Sequence, residues 1–215
     1  MRIFLTLFVA ISHWLLSNAK KPNIVIIFTD DQGYADLGCY GSKTNKTPRL
    51  DQLAKEGTMF TSFYTQAVCG PSRSALLTGR YPCRSKGWGM PASEITFAEL
   101  IKGAGYQTAC IGKWDVSNRK PIIDRMPNAQ VFDYFFGALG ANDPGSIKFH
   151  LNNEPAGTSK DMGGLTTLYT DKSIDFLKNK RDPKKPFILY LAHTMMHTII
   201  DASERFRGKS KGGLY

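Results

Sequence analysis

A chain of 215 residues is long enough to bury one sizeable core or to form one part of a larger domain. Its 28 Lys and Arg against 18 Asp and Glu give a formal net charge of +10, a balance that draws anions to the surface. The basic residues form no stripe interleaved with aromatics, which speaks against nucleic acid, and the four cysteines at 39, 69, 83 and 110 have the spacing of neither a disulfide framework nor a Cys-rich metal site.

Arg2, the apolar run Ile3 to Leu16 and the small residues Ser17-Asn18-Ala19 have the layout of an export leader cleaved after residue 19. The run is short for a bilayer and is interrupted by His13, so no stable membrane span is expected after cleavage. Asn23 to Phe28 is a continuous β-branched run, the pattern of a central parallel strand covered on both faces, and Asp30-Asp31-Gln32-Gly33 follows it. Thr47-Pro48 opens a helix through Glu56. Phe60 to Tyr64 reads as a short strand leading to Cys69, and Pro71 opens a helix running to about Thr78. Thr96 and Glu99 form a capping box for a helix ending near Gly103 or Gly105. Tyr106 to Ile111 is the next strand, delivering Gly112-Lys113-Trp114-Asp115. Residues 117–163, rich in Asn, Asp, Gly and Pro, read as an inserted loop region. Helical spacing returns from Leu165 to Leu177, and Phe187 to Ala192 is a buried strand ending at His193 and His197.

This alternation predicts an α/β fold with a mostly parallel sheet flanked by helices. Asp30, Asp31, Lys113, Asp115, His193 and His197 all follow predicted strands, and Cys69 sits in a loop entering a helix. In an open α/β sheet such positions converge on the crevice beyond the strand carboxyl ends. Asp30 and Asp31 are adjacent hard-oxygen donors suited to Ca²⁺ or Mg²⁺, or else a turn and helix cap. The spacing of His193 and His197 fits zinc on a helix, but a strand precedes the pair and no glutamate lies between; His193 reads as structural.

Residues 69–80, Cys-Gly-Pro-Ser-Arg-Ser-Ala-Leu-Leu-Thr-Gly-Arg, resemble the signature of type I sulfatases, Cys-x-Pro-Ser-Arg with a closing Thr-Gly-Arg. The resemblance extends over nearly the whole chain after residue 19 and implies the alkaline-phosphatase/sulfatase fold. It implies that Cys69 is oxidised by a formylglycine-generating enzyme to an aldehyde. One hydroxyl of its hydrate attacks sulfur, and loss of the other's proton then expels sulfate. Arg73 would stabilise that hydrate. Asp-Asp-x-Gly-Tyr after the first strand resembles the family's metal motif, so Asp30, Asp31 and residue 69 are the implied ligands, with calcium favoured over magnesium. Gly112-Lys113-Trp114 resembles the Gly-Lys-Trp-His segment whose lysine contacts sulfate; Asp115 stands where that histidine is usual, which leaves its substrate-binding role undecided. His197 aligns with the histidine that contacts sulfate and protonates the leaving oxygen.

The family's later Asp-Asn pair and second lysine have no counterpart after His197. Residues 20–215 are therefore expected to be the N-terminal part of a catalytic domain, incomplete at the C-terminus and with little or no activity alone. The implied substrate is a sulfated small molecule or glycan, and the implied location is outside the cytoplasm: secreted, periplasmic or lysosomal. Two other readings stand beside this one: a related phosphatase or phosphodiesterase, and a degenerate sulfatase-like protein that binds sulfated glycans without turnover.

Overall fold

The computed structural model describes residues 20–214; the expected leader, residues 1–19, lies outside them. In chain order the elements are β1 (Ile24–Phe28), α1 (Pro48–Glu56), α2 (Cys69–Thr78), α3 (Pro82–Ser85), α4 (Phe97–Gly103), β2 (Gln107–Lys113), β3 (Tyr134–Ala138), β4 (Ile147–Leu151), β5 (Glu154–Ser159), α5 (Leu165–Asp175) with a π-helical turn at Phe176–Lys180, and β6 (Phe187–Ala192). They form one six-stranded sheet of order β1-β6-β2-β3-β4-β5. The first four strands in that order are parallel, and β4 and β5 add antiparallel to the far edge. The mostly parallel α/β architecture expected from the sequence is the one observed.

β6 is the strand buried along its whole length, between β1 and β2. Its side chains alternate between two cores. Phe187, Leu189 and Leu191 pack with Ala109, Ile111 and Tyr169 of α5 on one face. Tyr190 and Ala192 pack with Cys110, Leu77 of α2 and Ala98 of α4 on the other. Helices therefore cover both faces, as parallel strands of this composition require.

Four expectations change. β1 is an edge strand among the described residues: Ile24, Ile26 and Phe28 are half-buried, while Val25 and Ile27 are 50% and 57% exposed. Phe60 to Tyr64 forms no strand, because the Tyr40 hydroxyl donates to Phe60 O and the Tyr34 hydroxyl to Phe63 O, so side chains take the carbonyls a ladder would use. The region 117–163 is not a loop insertion, since it contributes β3, β4 and β5. Alternation in Ile147-Lys148-Phe149-His150-Leu151, buried at 147 and 149, is the period-two signal hidden among its Asn and Gly turns. Finally, α2 starts at Cys69, two residues before Pro71, which places Pro71 inside the first turn, where its missing N–H costs nothing.

Candidate active site

Pairing between β1 and β6 continues past both strands. His193 N donates to Phe28 O at 2.8 Å, Asp30 N to Met195 O at 3.3 Å, and Met196 N to Asp30 O at 2.6 Å. This fixes Asp30 with its side chain enclosed, 3% exposed, whereas Asp31, at φ 57°, is exposed. β2 brings Lys113 to the same edge. Its Gly112 has φ +112°, and an added Cβ would lie 1.8 Å from Ala192 O, so only glycine lets β2 approach β6 this closely beside the lysine.

An inner cluster results. Lys113 Nζ lies 2.5 Å from Asp30 Oδ2, and Arg73 Nη2 lies 3.4 Å from Asp30 Oδ1. Arg73, on α2 and fully buried, donates to Lys113 O at 2.9 Å and His193 O at 3.1 Å, and its guanidinium lies 5.3 Å from the Phe28 ring centroid. Unpaired charges at this depth would cost several kcal/mol each, roughly, so mutual pairing is the condition for burying them. Burial pushes the Tyr190 phenol, 3.5 Å from Arg73 Nη1, up to about 12, against the opposing pull of Arg73. It stays neutral and accepts from Arg73 Nη1. Burial, then the Arg73 charge, hold the His193 imidazole below its ordinary value, so it is neutral near pH 7. Arg73 Nε is buried without a partner among the described residues, a spare donor in the cluster.

An outer layer surrounds Asp115, which is fully buried at φ 58°. Its Oδ2 accepts from Trp88 Nε1 at 3.1 Å and lies 3.5 Å from Lys113 Nζ, and its Oδ1 accepts from Arg119 Nε at 2.9 Å. Arg119 Nη1 reaches on to Asp143 Oδ2 at 3.0 Å. Cys69 is the first residue of α2, at the helix end whose free N–H groups and dipole favour anions. Burial raises its thiol, as do the hydrogen bond to Asp115, the Asp115 charge and, more weakly, Asp30, with Lys113 opposing them. An unmodified Cys69 is thus a thiol at neutral pH, poorly suited to act as a thiolate nucleophile. Gly70 beside it admits the Trp88 ring, which an added Cβ would strike at 2.0 Å.

The structure therefore brings together Asp30, Cys69, Arg73, Lys113 and Asp115. His197 stands apart: its Nδ1 lies 2.5 Å from Thr198 O and its Nε2 3.7 Å from Asp143 Oδ1. Sequence reasoning did not mark Trp88 as an Asp115 partner, nor Arg119, Asp143 and Tyr190 at all. Phe135 and Phe136 of β3 are core.

For a metal, the donor chemistry at Asp30 and Asp31 is hard oxygen and suits calcium. Their number does not suffice. Asp30 is already paired with Lys113 and Arg73, and no group of three or more His, Cys, Asp or Glu among the described residues is placed to hold a metal ion. All four cysteines are free. No described helix is long and apolar enough to cross a membrane.

The fold and this edge define an α/β protein with a buried cluster of paired charges beyond its parallel strands and a cysteine at the N-terminus of the helix beside it. The chain belongs to the sulfatase family, whose model matches residues 22–214. Among curated relatives, canine N-acetylgalactosamine-6-sulfatase is 32% identical over 230 residues, covering 91% of this chain and 44% of that protein. Human arylsulfatase A is 35% identical over 233 residues, covering 92% and 46%. The chain thus spans less than half the length of these relatives. Solved structures agree: PsFucS1 sulfatase from Pseudoalteromonas sp. superposes with a TM-score of 0.77 at 25% identity over 94% of this chain and 49% of that one. Ps i-CgsB in complex with k-i-k-neocarrahexaose gives 0.76 at 30% identity over 86% and 48%. BT4656 in complex with its substrate D-glucosamine-2-N,6-O-disulfate gives 0.75 at 31% identity over 88% and 37%.

Proposed function

We propose that this chain carries the nucleophile half of an exported sulfatase that hydrolyses a sulfate ester on a glycan, with Cys69 matured to formylglycine and calcium beside it. The observation that carries the reading is Cys69 at the N-terminus of α2, against a buried cluster of Asp30, Arg73 and Lys113, in a chain of the sulfatase family. A formylglycine at residue 69 would supply a hydrated aldehyde as the nucleophile, which a thiol held protonated does not. Asp30 and Asp31 are the residues the family resemblance assigns to calcium, but with Asp30 already paired to Lys113 and Arg73 they do not make a cation site by themselves.

The chain's own residues bind and orient the ester. Lys113 and the Nε of Arg73, unpartnered among the described residues, are the cationic donors assigned to the sulfuryl oxygens, and preorganised donors of low solvation stabilise developing charge most strongly. The first-turn N–H groups of α2 add to that field. Asp115 stands close enough to residue 69 to raise its thiol and is the group assigned to orient it. His197 Nε2, beside Asp143, is the group assigned to protonate the leaving oxygen. With two carboxylates for the cation, turnover by the 215 residues alone is expected to be low. The glycan assignment draws on the carbohydrate complexes of the two structural relatives; export draws on the leader pattern.

The test is sulfate release from an aryl sulfate and from sulfated oligosaccharides by protein co-expressed with a formylglycine-generating enzyme. Release above the Cys69→Ala level supports the reading. Release of phosphate from phosphomonoesters instead, or glycan binding with no sulfate release under any metal condition, overturns it.

A further inference from the structure

Arg119 lies on no strand or helix, yet its surroundings are built around it. The segment from Asp115 to Arg119 holds three non-glycine residues in the left-handed region, Asp115 at φ 58°, Asn118 at 54° and Arg119 at 57°. Such backbone persists only where contacts over-determine it. The contacts are present: Asn118 N donates to Trp88 O at 2.8 Å, and Ser117 forms a bridge with Gly89, which ties the segment to the Trp88 loop. Gly140 leaves room for the Arg119 stem, since an added Cβ there would lie 3.1 to 3.2 Å from three of its carbons. The guanidinium then engages two carboxylates of different parts of the site, Asp115 through Nε at 2.9 Å and Asp143 through Nη1 at 3.0 Å.

We propose that Arg119 is the positioning residue of this site: one side chain holds Asp115 against residue 69 and Asp143 against His197, so that both ends of the reacting ester are set from a single guanidinium. The proposal rests on the sulfatase reading only for the name of the reaction. Charge balance gives the reason for an arginine here. Arg73, Lys113 and Arg119 offset Asp30, Asp115 and Asp143, so removing Arg119 leaves the pocket one negative charge in excess and hostile to an anion. It also frees Asp115 from its only contact on Oδ1 among the described residues, leaving Trp88 and Lys113 on Oδ2. Arg119 thus compensates for an aspartate beside a cysteine that must receive an anion.

The experiment follows the indole N–H of Trp88, which donates to Asp115, by ¹⁵N-edited NMR of the full chain, assigned with Trp88→Phe. Wild type is expected to show a shifted, exchange-protected signal. Arg119→Met is expected to move it toward free indole and speed exchange about tenfold, the size of one lost hydrogen bond to a charged acceptor. Arg119→Lys should restore most of the protection, and exposed Arg207→Met should change nothing. Inorganic sulfate, titrated by calorimetry, should bind more weakly to Arg119→Met and regain wild-type affinity in Asp115→Asn/Arg119→Met. An unchanged Trp88 signal in Arg119→Met, or sulfate affinity no better in the double variant than in the single, overturns the proposal. Neither readout needs a matured residue 69 or turnover, so absence of sulfatase activity would sink the functional reading while leaving this one decided.

Discussion

Asp30 and Asp115 are both buried aspartates within reach of Lys113, but their cationic partners differ. Asp30 is held by Lys113 and Arg73, which are as enclosed as itself. Asp115 is held from outside by Arg119, whose side chain is 41% exposed, and by Trp88, 37% exposed. Sealed ion pairs fix position because the alternative is an uncompensated charge in low dielectric. A pair with one wet partner can exchange that partner for water at little cost, so it tunes geometry without holding up the fold. The inner layer is therefore part of the core, and the outer layer is the adjustable part of the pocket.

The contrast can be broken first at its strongest point. Arg73→Met leaves Asp30 with one cation and His193 O without its donor, and chemical denaturation should show a loss of about 3–5 kcal/mol. A loss under 1 kcal/mol, roughly, would mean that Arg73 is not an integral part of the core. Gly70→Ala comes next: the new Cβ drives into Trp88, which has solvent to move toward, so we expect about 1–3 kcal/mol and a red-shifted Trp88 emission. Arg119→Met should cost no more than about 1 kcal/mol in the same denaturation assay, because Arg119 is itself part-solvated and Asp115 keeps Lys113 and Trp88. Its effect on the rate of sulfate release by matured protein should be far larger, of the order of a hundredfold in kcat with KM moved less. Equal losses of stability in Arg73→Met and Arg119→Met would erase the distinction between the layers.

The smallest effect concerns pH. Burial and Arg73 lower His193 from its ordinary 6.5, so between its folded and unfolded values the unfolded chain binds more protons. The stabilising contribution of neutral His193 is complete above 6.5 and is lost as pH falls through that value toward the folded one. Unfolding midpoints measured downward from neutral pH should therefore decline less steeply in His193→Gln than in wild type. A parallel decline would show that His193 is not the group responsible.

How much of this was legible in the sequence follows the same division. The inner layer is carried by short-range patterns: Lys113 directly ends an apolar strand, Asp30 follows one by a single residue, and Arg73 lies one turn inside a helix with a recognisable start. The partners in the outer layer come from residue 88 and from 117–163, where no period announces that Arg119 turns back on Asp115 with an i,i+4 spacing outside any helix. Left-handed φ at Asn118 and Arg119 is a tertiary outcome invisible in residue type, although Asn is the commoner non-glycine resident there. β4 is hidden because its flanking Asn and Gly outweigh a five-residue alternation, and β5, Glu154–Ser159, is exposed along nearly its whole length and carries no apolar period at all. β1 misled in the opposite direction. Ile-Val-Ile-Ile-Phe is apolar on both faces, yet only one face is packed by described residues, since composition records what a strand is fit to bury and not what lies against it. His197 was placed with the inner residues by resemblance, and its nearest charged group is Asp143 of the outer layer.

The central claim is that residue 69 becomes an aldehyde. Its most direct test is the mass of the tryptic peptide Glu56 to Arg73 from protein isolated from its natural source, with hydrazide labelling of the same peptide. The account predicts a formylglycine mass at position 69 and a labelled peptide. An intact thiol there, in a host that matures its other sulfatases, would contradict it.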